Sequence, residues 1–354
     1  MNRGEFLSGT AAVAAAALRD PFAPVPGVWR TFTVTTMVTL RPGGIAQAWV
    51  PVPSFREASW MRPGATSLSG NAAQVQLVSD ARWNAGMAHA QWPASTSARV
   101  LKVVSSVSTR DLRVDLSGGR PRALAPSQRE QYLAATSFIP TGGIVKETAG
   151  KITAGATSDL EKARRIYAWI IANTYRKASV RGCGLGNVAF LLESGDLGGK
   201  CADLNGLAVG LARASGIPAR DLFGIRIAPS RFGYKSLGAN APTITKAQHC
   251  RAEVHLTDYG WVPIDPADVR KVILEEPPGD LSSNDPKVVD ARKTLFGAWE
   301  GNYMAYNDAH DVALPGSSGK PVPFLMYPQA EIDGERLDSL DAASFVYAIE
   351  SKEA

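Results

Sequence analysis

Three cysteines and four histidines are all that thiol or imidazole chemistry can draw on in this 354-residue chain. Cys201 has the surroundings that suit reactivity. It follows Gly198-Gly199-Lys200 and opens an apolar run of helical period that extends to about Ala214. A helix N-terminus carries partial positive charge and unpaired N–H groups, which favour a thiolate over a thiol. The glycines let a substrate approach the backbone, and the N–H of Cys201 can donate to a developing oxyanion. A small buried hydrophobe would also suit this position, so the cysteine alone decides nothing. His249 precedes a strand-like run, and Asp265 ends the next one, across a turn at Asp258-Tyr259-Gly260. A thiolate nucleophile needs a base or imidazolium partner, and that ring needs an acceptor to fix its tautomer. Cys, His and Asp supply those roles in chain order.

Neighbouring residues read more simply. Cys250 follows His249, and alternation along a strand points it to the other face, as a buried thiol or as a disulfide partner of Cys183. Asp203 near the start of the Cys201 helix reads as a cap. One geometric difficulty stands out. A regular hairpin turning at Tyr259 sets Asp265 opposite Glu253 and leaves His249 four residues, roughly 13 Å, further along. Contact then requires a bulge, strong twist, or a bend before the strand starts.

The elements that must position these residues follow from pattern and composition. Apolar residues make up 45% and charged residues 20%, the balance of a globular chain of two or three units. A net charge of +5 without a concentrated basic stripe gives no footing for nucleic acid. Three cysteines without C-x-x-C exclude a disulfide scaffold and a cysteine zinc ribbon. Thr31 to Leu40 alternates apolar residues with threonine and stops at Pro42-Gly43-Gly44. Ile45–Val52 and Ala98–Val107 read as further strands, so 28–116 is expected to form a β-sandwich. The segment 117–154 reads as a connector with one short helix near Ser127–Ala134. Ser158-Asp159-Leu160-Glu161 is a capping box, and Leu160, Ala163, Ile166, Tyr167, Ile170 and Ile171 follow at helical spacing. Strands are expected near Asp221–Ile227, Arg251–Thr257 and Trp261–Ile264. The remainder, 271–354, reads as a loop-rich extension with a late strand around Pro323–Ile332.

Residues 1–22 have the layout of an export signal: Arg3, Phe6-Leu7, then Ala11 to Leu18 as a short apolar run. Asn2-Arg3-Gly4-Glu5-Phe6-Leu7 resembles a twin-arginine signal whose second arginine is Gly4. The location implied is periplasmic or secreted, with an Ala-rich N-terminal helix of a cytoplasmic protein as the alternative. Nothing later reaches the roughly 18 continuous apolar residues of a membrane span.

Two separate segments resemble the transglutaminase-like superfamily of cysteine hydrolases and acyltransferases. One is Gly199-Lys200-Cys201-Ala202-Asp203 with Leu211-Ala212-Arg213-Ala214-Ser215-Gly216-Ile217-Pro218-Ala219-Arg220. The other is His249-Cys250-Arg251-Ala252-Glu253-Val254 with Gly260-Trp261-Val262-Pro263-Ile264-Asp265-Pro266. Their order and spacing agree over about residues 155–270, and the flanks resemble a bacterial exported branch. The resemblance implies an α+β fold: a papain-like core, with a helix-borne cysteine packed on an antiparallel sheet, behind the N-terminal β-sandwich. It implies Cys201 as nucleophile, His249 as base and Asp265 as orienter. The activity implied is cysteine-dependent amide hydrolysis or acyl transfer through an acyl-enzyme. The substrates implied are proteins or peptides, cell-wall peptides among them, with no metal and no organic cofactor. A non-catalytic binding or scaffold module of the same fold is the alternative. This sequence departs from the family at Arg251, where an aromatic residue is common, and at Cys183 in the segment Arg181-Gly182-Cys183-Gly184. His255, two positions beyond Glu253, is expected to pack rather than react, and Glu253 to be structural. His89 and His310, outside the matched span, are expected at the surface.

Overall fold

A computed structural model describes residues 21–57 and 59–354. The strand Arg30–Leu40 follows its alternation: Phe32, Val34, Thr36, Val38 and Leu40 point inward and the intervening threonines outward or partly so. It pairs antiparallel with Arg99–Thr109 on one side and Val346–Glu353 on the other; Met61–Gly70 completes this sheet. The chain turns over at Pro42-Gly43-Gly44 and Ala46–Pro51 enters a second antiparallel sheet. That sheet also contains Gly86–Trp92, Gln74–Ser79, Gln329–Ile332 and Glu335–Arg336. Val38, Leu40, Leu101 and Val103 from the first sheet pack with Ala46, Ala48, Ala88, Ala90 and Trp92 from the second. Each large apolar side chain buried there contributes about 1.5–3 kcal/mol. Two sheets packed face to face make a sandwich.

Two strands within it had weak sequence signals. Met61–Gly70 carries Pro63-Gly64, breaks register between Pro63 and Thr66, and exposes much of both faces, so it shows no clean alternation. Gly86–Trp92 hides behind small residues, Ala88 and Ala90. The segment expected as an extension does more than carry one strand. Gln329–Ile332 pairs with Ala46–Pro51 and Val346–Glu353 with Arg30–Leu40, so residues beyond 271 complete both sandwich sheets.

The second layer system is α+β. The four-stranded antiparallel sheet has the order Gly260–Ile264, Gln248–Leu256, Ala219–Arg226, Tyr303–Asn307. The helix Cys201–Ala214 packs on it and is buried nearly all round; Leu204, Leu207, Ala208 and Leu211 are fully buried. The helix Asp159–Asn173 covers it with Ala163, Ile166, Tyr167, Ile170 and Ile171. At its start Ser158 Oγ accepts from the Glu161 N–H at 3.2 Å. The return bond lands one residue earlier than expected, from the N–H of Thr157 to Glu161 Oε2 at 2.9 Å.

The connector contains Pro126–Leu133, close to the expected helix, and a second helix, Gly143–Thr153, which buries Val145 and Ala149. Two more helices follow the sheet, Pro266–Glu275 and Pro286–Thr294. Each starts with Pro at its first position behind an Asp cap, a signal present in the sequence as Asp265-Pro266 and Asp285-Pro286. The export-like layout of residues 1–20 lies outside the described residues. Of the remainder of the 1–22 segment, Phe22 belongs to the fold: it is buried, with its ring 4.7 Å from that of Tyr234. Among the described residues no helix is long and apolar enough to cross a membrane.

Candidate active site

Cys201 is the first residue of its helix and is buried. Asp203, two residues on, acts as the cap expected of it and also as a tie. Its Oδ2 accepts from the N–H of Lys200 at 3.0 Å, while Oδ1 accepts from Leu185 (3.0 Å) and Gly186 (2.9 Å). One carboxylate thus fixes both the helix start and the glycine-rich loop beside it. The loop needs glycine: Gly184 has φ +90°, and a Cβ there would fall 1.9 Å from Asp203 Oδ2. The N–H of Ala202 donates to the Cys183 carbonyl at 2.9 Å, which brings Cys183 beside Cys201.

His249 lies near the start of Gln248–Leu256 and Asp265 just beyond the end of Gly260–Ile264. The difficulty foreseen between them resolves through register. Leu256 pairs with Gly260 across a three-residue loop, with Gly260 at φ +75°, and Ala252 pairs with Ile264. Continued by one step, that register sets residue 265 opposite 251, two residues nearer His249 than expected, and no bulge is needed. Asp265 then leaves the sheet as the cap of the next helix. Its Oδ1 accepts from the N–H of Asp268 at 3.0 Å, and Oδ2 lies 2.8 Å from His249 Nε2. The ring's other nitrogen is Nδ1.

Three residues that sequence reasoning missed hold this pair. Asn205, one turn beyond Cys201, donates from Nδ2 to Asp265 Oδ1 (2.9 Å) and to the Cys250 carbonyl (2.8 Å). Asp268 Oδ1 lies 3.5 Å from His249 Nε2, and both Asp268 oxygens accept from Arg226 Nη2 at 2.6 and 2.7 Å. Only Asn205 left a trace, as a lone amide in an apolar helix; the pairing of Asp268 with Arg226 joins elements 42 residues apart.

Burial and the Arg226 guanidinium oppose charge on His249. The carboxylates of Asp268 and Asp265 outweigh them and leave its pKa above the usual imidazole value. Burial raises the Asp265 carboxyl, helped by the charge on Asp268. Asp268 itself is held below the usual carboxylate range: burial opposes this, but Arg226 and His249 prevail. The two carboxylates and the imidazole form a ligand-like cluster. Arg226 occupies both Asp268 oxygens, however, and leaves a metal cation little to bind.

Cys201 and His249 line one cavity of about 640 Å³ together with Cys183 and Tyr327. Asp265 stands behind His249, fully buried. Cys250 is the buried thiol expected of it, but it is not remote from Cys201. Its sulfur does not lie out of reach on the far side: the sulfurs of Cys183, Cys201 and Cys250 all fall within 4.8 Å of one another. Cys250 points to the face on which the Cys201 helix packs. The disulfide considered for Cys183 and Cys250 is not formed; all three thiols are free. The Cys183 thiol donates to the Gln248 carbonyl at 3.3 Å. Hydrogen bonds from Cys201 and Cys250 favour a thiolate on Cys183, and burial pushes the Cys250 thiol up.

Arg251 does not line the cavity. Its guanidinium lies 4.5 Å from the Tyr303 ring centroid and 4.9 Å from that of Trp299, and donates to the Glu300 carbonyl at 3.0 Å. Tyr303 sits edge-on to His249 at 6.1 Å, so a strand two places away in the sheet supplies an aromatic neighbour. Glu253 is structural, paired to Arg220 at 2.7 Å, and His255 packs edge-on to Trp261 at 5.3 Å. His89 and His310 are buried rather than at the surface. His89 stacks on Trp49, and His310 lies against Phe223 with Nε2 3.4 Å from Asp221.

Residues 146–266 match the transglutaminase-like superfamily. An uncharacterised protein of Haemophilus influenzae is 36% identical over 338 residues, which cover 91% of this chain and 90% of that one. Among solved structures, a Cytophaga hutchinsonii protein described as a candidate cysteine protease aligns with a TM-score of 0.52 and 14% identity. That alignment covers 93% of this chain and 100% of the other, a likeness of fold. The periplasmic domain of TgpA from Pseudomonas aeruginosa aligns at a TM-score of 0.33 and 14% identity, over 68% of this chain and 88% of its own.

Proposed function

We propose that this chain, which belongs to the transglutaminase-like superfamily, is a cysteine-dependent hydrolase of peptide amide bonds that works through an acyl-enzyme on Cys201. One observation carries the reading: the 2.8 Å contact between His249 and Asp265, with His249 and Cys201 among the residues that line one cavity. In this reading Asp265 holds the proton of Nε2, which leaves Nδ1 to face the thiol. The imidazole takes the thiol proton as the sulfur attacks. The sulfur attacks the carbonyl carbon, the N–H of Cys201 receives the oxyanion, and the imidazolium gives its proton to the departing amine. Water, deprotonated by the same ring, then releases the acid. Cys183 is the rival candidate: neighbouring thiols favour a thiolate on it, but it lies in the loop and not at a helix start. Hydrolysis is favoured over amine transfer because the layout from Arg3 to Leu18 suggests export, where water is the abundant acceptor.

The test is mass spectrometry of the protein mixed with activated peptide esters, with and without an added primary amine. The expected result is an acyl adduct on the Cys201 peptide, absent from Cys201→Ala and released as free acid even when amine is present. An amide product would make the enzyme a transferase. No adduct with any peptide would make it a binding module.

A further inference from the structure

The cavity wall is one-sided in charge. Among the described residues six cations line it, Arg176, Arg181, Lys200, Arg226, Lys246 and Lys271, and no aspartate or glutamate does. Three carboxylates pair with four of these six. Asp268 takes Arg226, Asp338 takes Arg181 at 2.7 Å, and Glu275 is shared between Arg176 and Lys271, the latter at 3.8 Å. Lys200 and Lys246 have no carboxylate partner among the described residues. Lys200 adjoins Cys201 and Lys246 lies three residues before His249, so the unpaired charge flanks the reacting groups. Burial, and then repulsion from Arg226, hold the Lys271 ammonium below its usual pKa. A pocket lined by one sign of charge concentrates ligands of the other sign.

We infer that the preferred acyl donor is an acidic peptide, with a carboxylate beside the scissile amide that Lys200 and Lys246 receive. This rests on the reading of Cys201 as nucleophile. Arg and Lys around a concave site recognise carboxylates as fork and point charge respectively. Leu340, Phe345 and Tyr347 also line the cavity and offer apolar surface to the uncharged remainder of the chain.

Two alkylating probes of near-equal size separate charge from reactivity. Iodoacetate is anionic and iodoacetamide neutral, and an ordinary thiol such as glutathione reacts faster with the neutral one. Adducts on Cys201 are followed by peptide mass spectrometry at rising salt. Relative to glutathione, the iodoacetate-to-iodoacetamide rate ratio is expected to be about tenfold higher. It should fall as the Debye length shrinks from about 30 Å at 0.01 M to about 3 Å at 1 M salt. Lys246→Glu should lower the iodoacetate rate more than the iodoacetamide rate, with a melting curve reporting an intact fold. A Glu-containing peptide should protect Cys201 better than its Gln counterpart. A ratio like that of glutathione, a ratio insensitive to salt, or equal protection by the two peptides overturns the acidic-peptide inference alone. Slow labelling by both probes, or labelling first at Cys183 or Cys250, overturns Cys201 as nucleophile instead.

Discussion

At the scale of single residues, the proposed division of labour separates making a bond from holding a ring. Cys201→Ala should end turnover and leave stability nearly unchanged, because one sulfur at a pocket-lining helix start leaves little cavity. Since two other thiols lie within 4.8 Å, the adduct must be located residue by residue. An adduct persisting at Cys183 or Cys250 would move the nucleophile. Asp265→Asn should lower turnover by up to about 10⁴-fold without abolishing it, since the amide can still hold the ring but in the wrong tautomer. His249 gives a sign for pH. Its folded pKa is raised above the unfolded 6.5, so it contributes stability that is full below that value and is lost as pH rises through the folded one. The stability gap between wild type and His249→Gln should therefore narrow from pH 6 to pH 8. Melting curves at matched salt measure it, and a gap that widens would contradict the raised pKa.

At the scale of elements, Asp203 is where helix and loop depend on one side chain. Asp203→Ala removes a cap and two loop acceptors and should cost about 2 kcal/mol in urea unfolding. Asp203→Asn, which keeps an acceptor oxygen, should cost less; equal losses would mean that charge rather than hydrogen bonding matters. These elements also explain what was legible in the sequence. Cys201 and His249 were legible because their signals are local: glycines before a helix, and a strand that leads into a turn. The Arg30–Leu40 strand was legible from its alternation with threonine. Register was not, because one residue in the turn around Gly260 shifts every pairing by two. Asn205, Arg226 and Asp268 were hidden for a different reason. Each is unremarkable in its own element and acquires a partner only where helix, sheet and cap converge. Cys250 misled because alternation tells which face a side chain takes, and not what packs on that face.

At the scale of the whole molecule, the Val346–Glu353 strand serves two structures at once. It is an edge of the first sandwich sheet, and Val346 and Tyr347 also form wall of the cavity beside Cys201. A chain ending at Ser344 loses Phe345, Tyr347 and Ile349 from buried or half-buried positions, each worth about 1.5–3 kcal/mol. That is a large share of a typical stability of about 5–15 kcal/mol. The truncated chain should lose its near-ultraviolet dichroism and label at Cys201 like a free thiol; a native melt with native labelling would separate cavity from sandwich. The same strand sets an order of events in time. Phe32 meets Glu353 across nearly the entire sequence, and contacts of such separation close slowly. While the nascent chain grows, Arg30–Leu40 carries one bare edge, an invitation to intermolecular pairing that a holding chaperone would have to suppress. Refolding from denaturant should therefore be biphasic, with the ability of Cys201 to react selectively appearing only in the slow phase, when the strand from residue 346 onward docks.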